Sequence, residues 1–231
     1  MPAASNLMKR VVTPELLDSD AGTPAEVAAS LSDLRLINRW FGGAGTTAWM
    51  VERIARQRNL SSVSYLEAAA GNGALPEMIR RSLKGRNINV DVTLLDRATS
   101  HLRDGNSAVT AVAADALQLP FRDNSFDIIG CNLFGHHLSP EELPQFVDEA
   151  LRVCRVAVLI NDLIRDPLHL ALVYAGFPLY RSRLTRHDGP ASVRAAYTPG
   201  EMRELLKKSR AARVEITRHY LFRMAVIAWK L

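Results

Sequence analysis

Acidic side chains follow three consecutive apolar runs of the sequence, each at the point where the run ends. Glu67 follows residues 63–66, Asp96 follows residues 90–95, and Asp115 follows residues 109–113. These runs are rich in β-branched and aliphatic residues, which predicts buried parallel strands. The carboxyl ends of parallel strands meet at the edge of the sheet where ligands bind. We therefore expect the three carboxylates to face one ligand, of a size that a nucleoside would fit.

A turn of small residues connects the first of these acids to the following helix. Ala69, Gly71 and Gly73 lie in this turn, and a helix is predicted from Ala74. Small residues let the backbone approach a ligand closely, and the first amides of a helix face it. A purely structural tight turn would have the same composition, so the turn alone decides little. It lacks the G-x-G-x-x-G spacing that a nicotinamide cofactor prefers.

The remaining segments predict the elements that position these residues. Further strands are expected at residues 126–131 and 157–160, and helical segments separate the strands along the chain. This order predicts an α/β fold with a doubly wound, mostly parallel seven-stranded sheet. Runs at 214–218 and 221–229 are almost contiguous, so they are expected to form a C-terminal antiparallel hairpin at the sheet edge.

Helix starts are marked by capping residues followed by proline. Thr23, Ser139 and Thr198 each begin a capping box with proline in the first helical position, and Thr13 with Pro14 predicts a fourth, weaker helix. We expect residues 1–60 to form a helical cap beside the site, and residues 61–231 to form the ligand-binding domain. An N-terminal bundle that only extends the core is the alternative.

Composition indicates a globular chain with one core and gives little support for a nucleic-acid partner. The 231 residues carry a net charge of +5, but 24 acidic residues are mixed among 29 basic ones. Cys131 and Cys154 lie in apolar runs without partners at metal spacing, so no metal site is predicted. The N-terminus lacks the apolar region of a signal peptide, and no stretch reaches the ~18 apolar residues of a membrane span. A cytoplasmic location is expected; the oligomeric state is left open.

Several motifs resemble those of a known family. Residues 65–73 are similar to the first motif of the class I S-adenosylmethionine-dependent methyltransferases, and residues 94–96 to the second. Residues 115–121 and 123–127 resemble the third and fourth motifs of the branch that includes the ubiquinone and menaquinone methyltransferases. The resemblance covers about residues 60 to 165 and the terminal hairpin. It implies S-adenosylmethionine as cofactor and S-adenosylhomocysteine as product.

The resemblance also implies a role for residues at the strand ends. Glu67 would hold the amino group of the methionine moiety, and Asp96 would bind the ribose. Asp115 and the backbone of Ala116 would read the adenine edge. The full implied cofactor set is Glu67, Ala69, Gly71, Gly73, Asp96, Arg97, Asp115, Ala116, Asn132 and Leu133.

The resemblance also implies where Arg97, Asn132 and Leu133 would lie, and it shows one departure, at Ala69. Arg97 would lie against the adenine face, and Asn132 and Leu133 would face the sulfonium. The family usually has glycine where this chain has Ala69, so the added methyl group is expected to tighten the turn without abolishing binding.

Histidines are the candidates for acid–base chemistry on the acceptor. A general base would help if the acceptor is a weakly acidic hydroxyl, and histidine titrates near neutral pH. His136 and His187 are the predicted catalytic residues, whereas a structural role is favoured for His137; Asp162 is a further candidate. Residues 165–197 predict an acceptor-side insertion in which an aromatic helix precedes a basic turn. A solvated surface loop is the alternative for that turn.

The predicted function is methyl transfer to a small molecule. The acceptor atom is expected to be oxygen or an aromatic carbon, in a phenolic or quinone-like compound. The sequence after the fourth predicted strand, Asn132 to Gly135, differs from the run typical of enzymes that methylate nucleic-acid amines. An RNA methyltransferase and a catalytically inactive S-adenosylmethionine-binding protein are the alternatives.

Overall fold

The computed structural model describes residues 8–19, 21–102 and 109–231. Residues 1–7, on which the expectation about a signal peptide partly depends, lie outside the described residues. The helices are α1 (Pro24–Trp40), α2 (Gly43–Gln57), α3 (Ala74–Lys84), α4 (Thr99–Leu102), α5 (Glu142–Val153), α6 (Pro167–Ala175), α7 (Arg183–Ala195) and α8 (Pro199–Leu206). The strands are β1 (Ser62–Ala68), β2 (Asn89–Asp96), β3 (Thr110–Ala113), β4 (Phe126–Asn132), β5 (Cys154–Leu163), β6 (Arg213–His219) and β7 (Arg223–Trp229).

The strands form one sheet in the order β3-β2-β1-β4-β5-β7-β6. Strands β1 to β5 pair in parallel, and β7 pairs antiparallel with both β5 and β6. The chain order reverses beside β1, so the crevice outside the carboxyl ends of β1 and β4 is where this topology places a ligand. The predicted fold class and the terminal hairpin are confirmed.

Alternating residues of the central strands supply two apolar layers. In β5, Val158 and Ile160 pack towards α5 and α8, while Ala157 and Leu159 pack towards α2 and α3. Both layers consist of buried apolar residues, as expected for strands that are apolar on both faces. Helices on both sides therefore hold the strand ends rigidly where the acidic residues emerge.

The N-terminal helices have different positions. Apolar residues of α2, including Met50 and Ile54, are fully buried against the sheet. In α1, Leu34 and Asn38 line a cavity at the carboxyl ends of the strands. Residues of α2 thus pack in the core, and residues of α1 line the cavity.

The helix predicted at Thr13 and Pro14 is wrong. Residues 16–19 form a turn, because the buried Asp188 carboxylate accepts hydrogen bonds from the amides of Leu16 and Leu17 at 2.8 and 3.1 Å. We call residues 8–19 the N-terminal strap. The other three capping boxes are present: Ser139 and Glu142 exchange hydrogen bonds as Thr23 and Thr198 do with their partners.

The basic turn predicted within residues 181–190 is also wrong, because this stretch begins a helix. Ser182 caps α7 by accepting from the amide of Leu184, and the buried Asp33 carboxylate accepts from the amides of Arg181 and Ser182. A tertiary partner on α1 thus completes the start of a helix whose middle contains Gly189 and Pro190, two residues that disfavour helix locally. In the part of the chain that the structure describes, no helix is long and apolar enough to cross a membrane.

Candidate functional site

A cavity of about 580 Å³ opens at the carboxyl ends of β1, β2 and β4. We call it the first cavity. Nine of the ten predicted cofactor residues line it, namely Glu67, Ala69, Gly71, Asp96, Arg97, Asp115, Ala116, Asn132 and Leu133. Gly73 does not line it. The sheet topology therefore brings together residues that lie up to 66 positions apart in sequence.

The turn after β1 depends on left-handed backbone. Ala69, Gly71 and Gly73 have φ angles of 53°, 53° and 70°. A Cβ on Gly71 would meet nothing within 4 Å, so its missing side chain leaves space beside the cavity. A Cβ on Gly73 would lie 2.5 Å from Cδ1 of Leu94. Gly73 thus allows the turn to pack on β2, whereas Gly71 leaves room for a ligand.

Asp96 holds this turn and faces the cavity at the same time. Its two carboxylate oxygens accept hydrogen bonds from the amides of Gly71, at 2.8 Å, and Ala98, at 2.9 Å. Each oxygen retains a lone pair for a ligand hydroxyl. Asp115 accepts from the amide of Leu117 at 2.8 Å and is exposed, as is Arg97. These acids form the polar wall of the first cavity.

Glu67 is the buried acid of the first cavity, with 1% of its surface exposed. The hydroxyl of Tyr65 donates to its Oε2, and Nδ2 of Asn132 donates to its Oε1 at 2.7 Å. Burial raises the pKa of Glu67 to about 7, although both hydrogen bonds oppose the shift. Such a carboxyl is poised to bind a cation, because a positive ligand group would favour its ionised form.

Hydrogen bonds connect Glu67 to the N-terminal helices. The hydroxyl of Thr47, on α2, donates to Oδ1 of Asn132 at 2.7 Å and accepts from Nδ2 of Asn161 at 2.9 Å. Asn161 also donates to the carbonyl of Gly43 at 2.7 Å. The chain of bonds fixes the amide of Asn132 so that its nitrogen points to Glu67.

His136 lines the first cavity and is 2% exposed. Its Nδ1 is 2.7 Å from Oδ1 of Asp162, while Oδ2 of Asp162 accepts from the His136 amide at 2.8 Å. Burial favours the neutral ring, but the Asp162 carboxylate and Glu15 raise the pKa of His136 to about 10. The pKa of Asp162 is lowered despite burial, because His136 stabilises its charge.

The N-terminal strap supplies acids beside this histidine. Oε1 of Glu15 is 3.5 Å from Nε2 of His136 and 4.0 Å from Nε2 of His137. Oδ2 of Asp18 is 3.0 Å from Nδ1 of His137. Arg10 fastens the strap by donating to the carbonyl of His136 at 2.9 Å. The strap therefore covers the part of the first cavity that His136 and His137 line.

A second cavity of about 220 Å³ adjoins the first. Both cavities are lined by the same residues at their junction, namely Glu15, Leu17, Asp18, Leu34, Leu133, His136 and His137. The second cavity is mostly apolar, with side chains from α1, α6, α7 and the end of the β6–β7 hairpin. His169 and Arg223 are among its polar groups.

Arg223 lines the second cavity as a fully buried cation. Its Nη2 donates to Oδ1 of Asn38 at 3.0 Å, and its Nε to the carbonyl of Phe41 at 3.3 Å. Its Nη1 has no hydrogen-bond partner among the described residues. Burial lowers the pKa of Arg223 to about 10. A buried donor without a partner is costly, so it is a candidate contact for a polar ligand atom.

The two predicted catalytic histidines have different surroundings. His136 lies where the cavities join, whereas His187 lies on α7 and lines neither cavity. The side chain of His187 is 42% exposed and its Nδ1 is 2.8 Å from Oδ1 of Asp188.

Three residues of the site were not identified from the sequence, namely Glu15, Thr47 and Arg223. No motif marks them, and only the folded chain brings them to the site.

Comparisons with known proteins agree with this geometry. Residues 66–159 match a family described as methyltransferase domain. A demethylmenaquinone methyltransferase of Thermobifida fusca (strain YX) is 32% identical over 144 residues, which is 61% of this chain and 60% of that protein. The chain thus spans less than two thirds of the length of this curated relative.

Similar solved structures extend the likeness to the fold. The plantazolicin methyltransferase BpumL, in complex with a monoazolic desmethylPZN analogue and SAH, has a TM-score of 0.70 at 15% identity, over 94% of this chain and 95% of that one. Magnesium protoporphyrin IX methyltransferase from Synechocystis PCC 6803 with bound SAH has a TM-score of 0.54 at 16% identity, over 82% of this chain and 84% of that one. A SAM-dependent methyltransferase from Aquifex aeolicus has a TM-score of 0.55 at 17% identity, over 73% of this chain and 82% of that one.

Proposed function

We propose that this chain, which belongs to the class I S-adenosylmethionine-dependent methyltransferases, binds S-adenosylmethionine in the first cavity and transfers its methyl group to a small molecule in the second. The observation that carries the proposal is the junction of the two cavities beside Leu133 and His136. A donor and an acceptor bound on either side of this junction would meet in line, which is the arrangement that methyl transfer requires.

The residues of the first cavity fit this cofactor. Glu67 would hold the ammonium group, because its buried carboxyl gains most from a positive partner. Asp96 would accept the ribose hydroxyls with the lone pairs that Gly71 and Ala98 leave free. Asp115 and Arg97 lie at the exposed rim, where the adenine would emerge. Asn132 and Leu133 would face the sulfonium.

S-adenosylmethionine would supply the activated methyl carbon and its leaving group. The acceptor atom would bond to the methyl carbon as the carbon–sulfur bond breaks. Sulfur would keep the electron pair, which gives S-adenosylhomocysteine. The protein's contribution is to position the acceptor and to exclude water. The N-terminal strap and α1 cover the junction, and the largely apolar lining of the second cavity disfavours bound water. A proton lost by the acceptor would pass to solvent beside Glu15 and His136, two of the polar groups at the junction.

The second cavity indicates the acceptor class. Its lining is largely apolar, with Leu172 and Val173 from α6 on one side, which suits a planar or aliphatic body. Nη1 of Arg223 would donate to an oxygen of the acceptor. We therefore propose a compact phenolic or quinone-like acceptor, methylated on oxygen or on an aromatic carbon. A cytoplasmic location stays a prediction.

The test is acceptor-dependent formation of S-adenosylhomocysteine from purified protein with phenols, quinols and aromatic acids. Val173→Phe would narrow the second cavity, so we expect it to lower kcat/KM for an active acceptor at least about tenfold while S-adenosylmethionine binds as before. Leu168→Phe is the matched control, since Leu168 is exposed on the same helix and lines neither cavity.

Each outcome of this test decides between functions. Loss of turnover in Val173→Phe but not in Leu168→Phe supports the second cavity as the acceptor site. Equal behaviour of the two variants contradicts that placement. Binding of S-adenosylmethionine without product for any small molecule would favour the inactive binding protein, and product with RNA alone would favour the RNA methyltransferase.

A further inference from the structure

Three side chains converge where the two cavities join: Glu15 from the N-terminal strap, and His136 and His137 from the 3₁₀ helix after β4. One potential metal-binding atom of each lies within 4.8 Å of those of the other two. Oε1 of Glu15 is 3.5 Å from Nε2 of His136 and 4.0 Å from Nε2 of His137. The cluster thus presents two imidazole nitrogens and one carboxylate oxygen to one point.

Each histidine is held by a carboxylate on its other ring nitrogen. Nδ1 of His136 is 2.7 Å from Asp162, and Nδ1 of His137 is 3.0 Å from Asp18. Metal-binding histidines commonly donate their second N–H to a carboxylate, which fixes the ring orientation and makes the free nitrogen a better ligand. Here the same arrangement occurs twice, and in both rings it leaves Nε2 facing Glu15.

The buried nitrogen of His136 is an independent sign of a ligand. The side chain is 2% exposed, and its Nε2 has no hydrogen-bond partner among the described residues. Polar atoms buried this deeply normally have a hydrogen-bond partner. The 3.5 Å separation from Oε1 of Glu15 is too long for a good hydrogen bond. The nitrogen lies 3.5 Å from Oε1 of Glu15, and the same oxygen lies 4.0 Å from Nε2 of His137.

We propose that Glu15, His136 and His137 bind one divalent transition-metal ion. Two imidazoles and one carboxylate form a ligand set that suits zinc and neighbouring first-row ions, and three protein ligands leave a coordination position open. With bonds of about 2.0 to 2.1 Å, neighbouring ligand atoms of a tetrahedral site lie about 3.3 Å apart. The distances to Glu15 are already near this value, so small side-chain rotations complete the site.

The open position lies at the junction of the cavities. An acceptor oxygen bound there would be more acidic, because a metal ion stabilises the deprotonated form. This role rests on the proposed function, whereas metal binding itself does not. No spacing in the sequence marks the site, since strands β1 to β4 lie between Glu15 and the two histidines along the chain, and no metal site was predicted.

The test is equilibrium dialysis of the metal-free full chain against Zn²⁺, with metal content and protein concentration measured together. We expect one equivalent of bound Zn²⁺, with affinity lowered more than about 100-fold in Glu15→Gln and in His137→Gln. Asp18→Asn removes only the carboxylate behind His137, so we expect a loss of about tenfold. His187→Gln is the matched control, because its ring is also paired with a carboxylate but lies outside the cluster.

The outcomes separate the proposal from its alternatives. Stoichiometric binding that is lost in the cluster variants and retained in His187→Gln supports it. No saturable binding, or equal binding by all variants, overturns it and leaves His136 and Glu15 as an ion pair. Glu15 and His137 are partly exposed, so their variants should stay folded, which thermal unfolding without metal checks. Because dialysis requires no S-adenosylmethionine or acceptor, a failed methyltransferase assay would not affect the result.

Discussion

The side-chain amide of Asn132 donates from Nδ2 to Oε1 of Glu67 at 2.7 Å, joining the end of β4 to the end of β1. Its Oδ1 accepts from Thr47 at 2.7 Å, so the orientation of the amide is set from α2. The acid that would hold the cofactor's ammonium is thus positioned by a helix that precedes the first strand. This relationship makes cofactor affinity sensitive to residues that do not line the first cavity.

Thr47→Val should weaken binding of S-adenosylmethionine by about tenfold. The substitution keeps the shape of the side chain but leaves Oδ1 of Asn132 without its donor, which costs about 1 to 3 kcal/mol when the acceptor is buried. Calorimetric titration measures the change. Thr46→Val is the control, since Thr46 is buried next to it on α2 and lies outside this chain of hydrogen bonds. Equal affinities of the two variants would contradict the account.

The affinity for S-adenosylmethionine should rise with pH up to about 7 and then level off. The pKa of Glu67 is raised by burial to about 7, so below this pH the free protein carries a proton there. The cofactor's ammonium favours the ionised carboxyl, so binding releases that proton and Kd falls by up to about tenfold per pH unit. Titrations across this range check the slope. Glu67→Gln should bind more weakly and with Kd independent of pH; a slope retained in this variant would assign it to another group.

Gly130→Ala should destabilise the fold strongly. Gly130 pairs with Glu67 across β1 and β4, and a Cβ there would lie 2.0 Å from the hydroxyl oxygen of Tyr65. Tyr65 must then move away from Glu67 or the strands must separate, at a cost of about 3 kcal/mol or more. Gly45→Ala is the matched control, because a Cβ on this helical glycine meets nothing within 4 Å. Chemical denaturation should show it as neutral or stabilised by up to about 1 kcal/mol; similar losses in both would refute the steric argument.

Ala69→Gly should stabilise the unliganded protein. Ala69 has a φ of 53°, a left-handed conformation that costs an L residue about 1 to 2 kcal/mol and glycine almost nothing. Part of the gain is offset by the larger entropy of glycine in the unfolded chain, so we expect about 0.5 to 1 kcal/mol. Denaturant titration measures it. A loss of stability would mean that the methyl group of Ala69 contributes more by packing than the backbone conformation costs.

The fold and the cofactor site follow from local sequence signals, because each strand end and the acid after it are neighbours in the chain. Glu67, Asp96 and Asp115 were placed at one edge once the strands were known, and residues 66–159 match a methyltransferase-domain family, in agreement with the predicted family. The buried cysteines, Cys131 and Cys154, are unpaired as expected.

Features that depend on tertiary partners were not predictable in this way. The turn at residues 16–19 and the start of α7 are decided by Asp188 and Asp33, whose partners lie about 150 or more positions away. Glu15 lies beside the histidines because the strap is fastened by distant residues, with Arg10 bound to His136 and Asp188 bound to Leu16 among these contacts. No local period or motif records such contacts, so the part of the site beside the strap required the folded chain.

The most direct test of the account is a calorimetric titration of S-adenosylmethionine into the wild-type protein, Asp96→Ala and Asp91→Ala. Asp91 lies on the same strand, exposed and away from the first cavity, so it controls for loss of a carboxylate from β2. We predict saturable binding by wild type and Asp91→Ala, and a Kd raised at least about tenfold in Asp96→Ala. No binding by the wild-type protein, or unchanged binding in Asp96→Ala, would contradict the assignment of the first cavity.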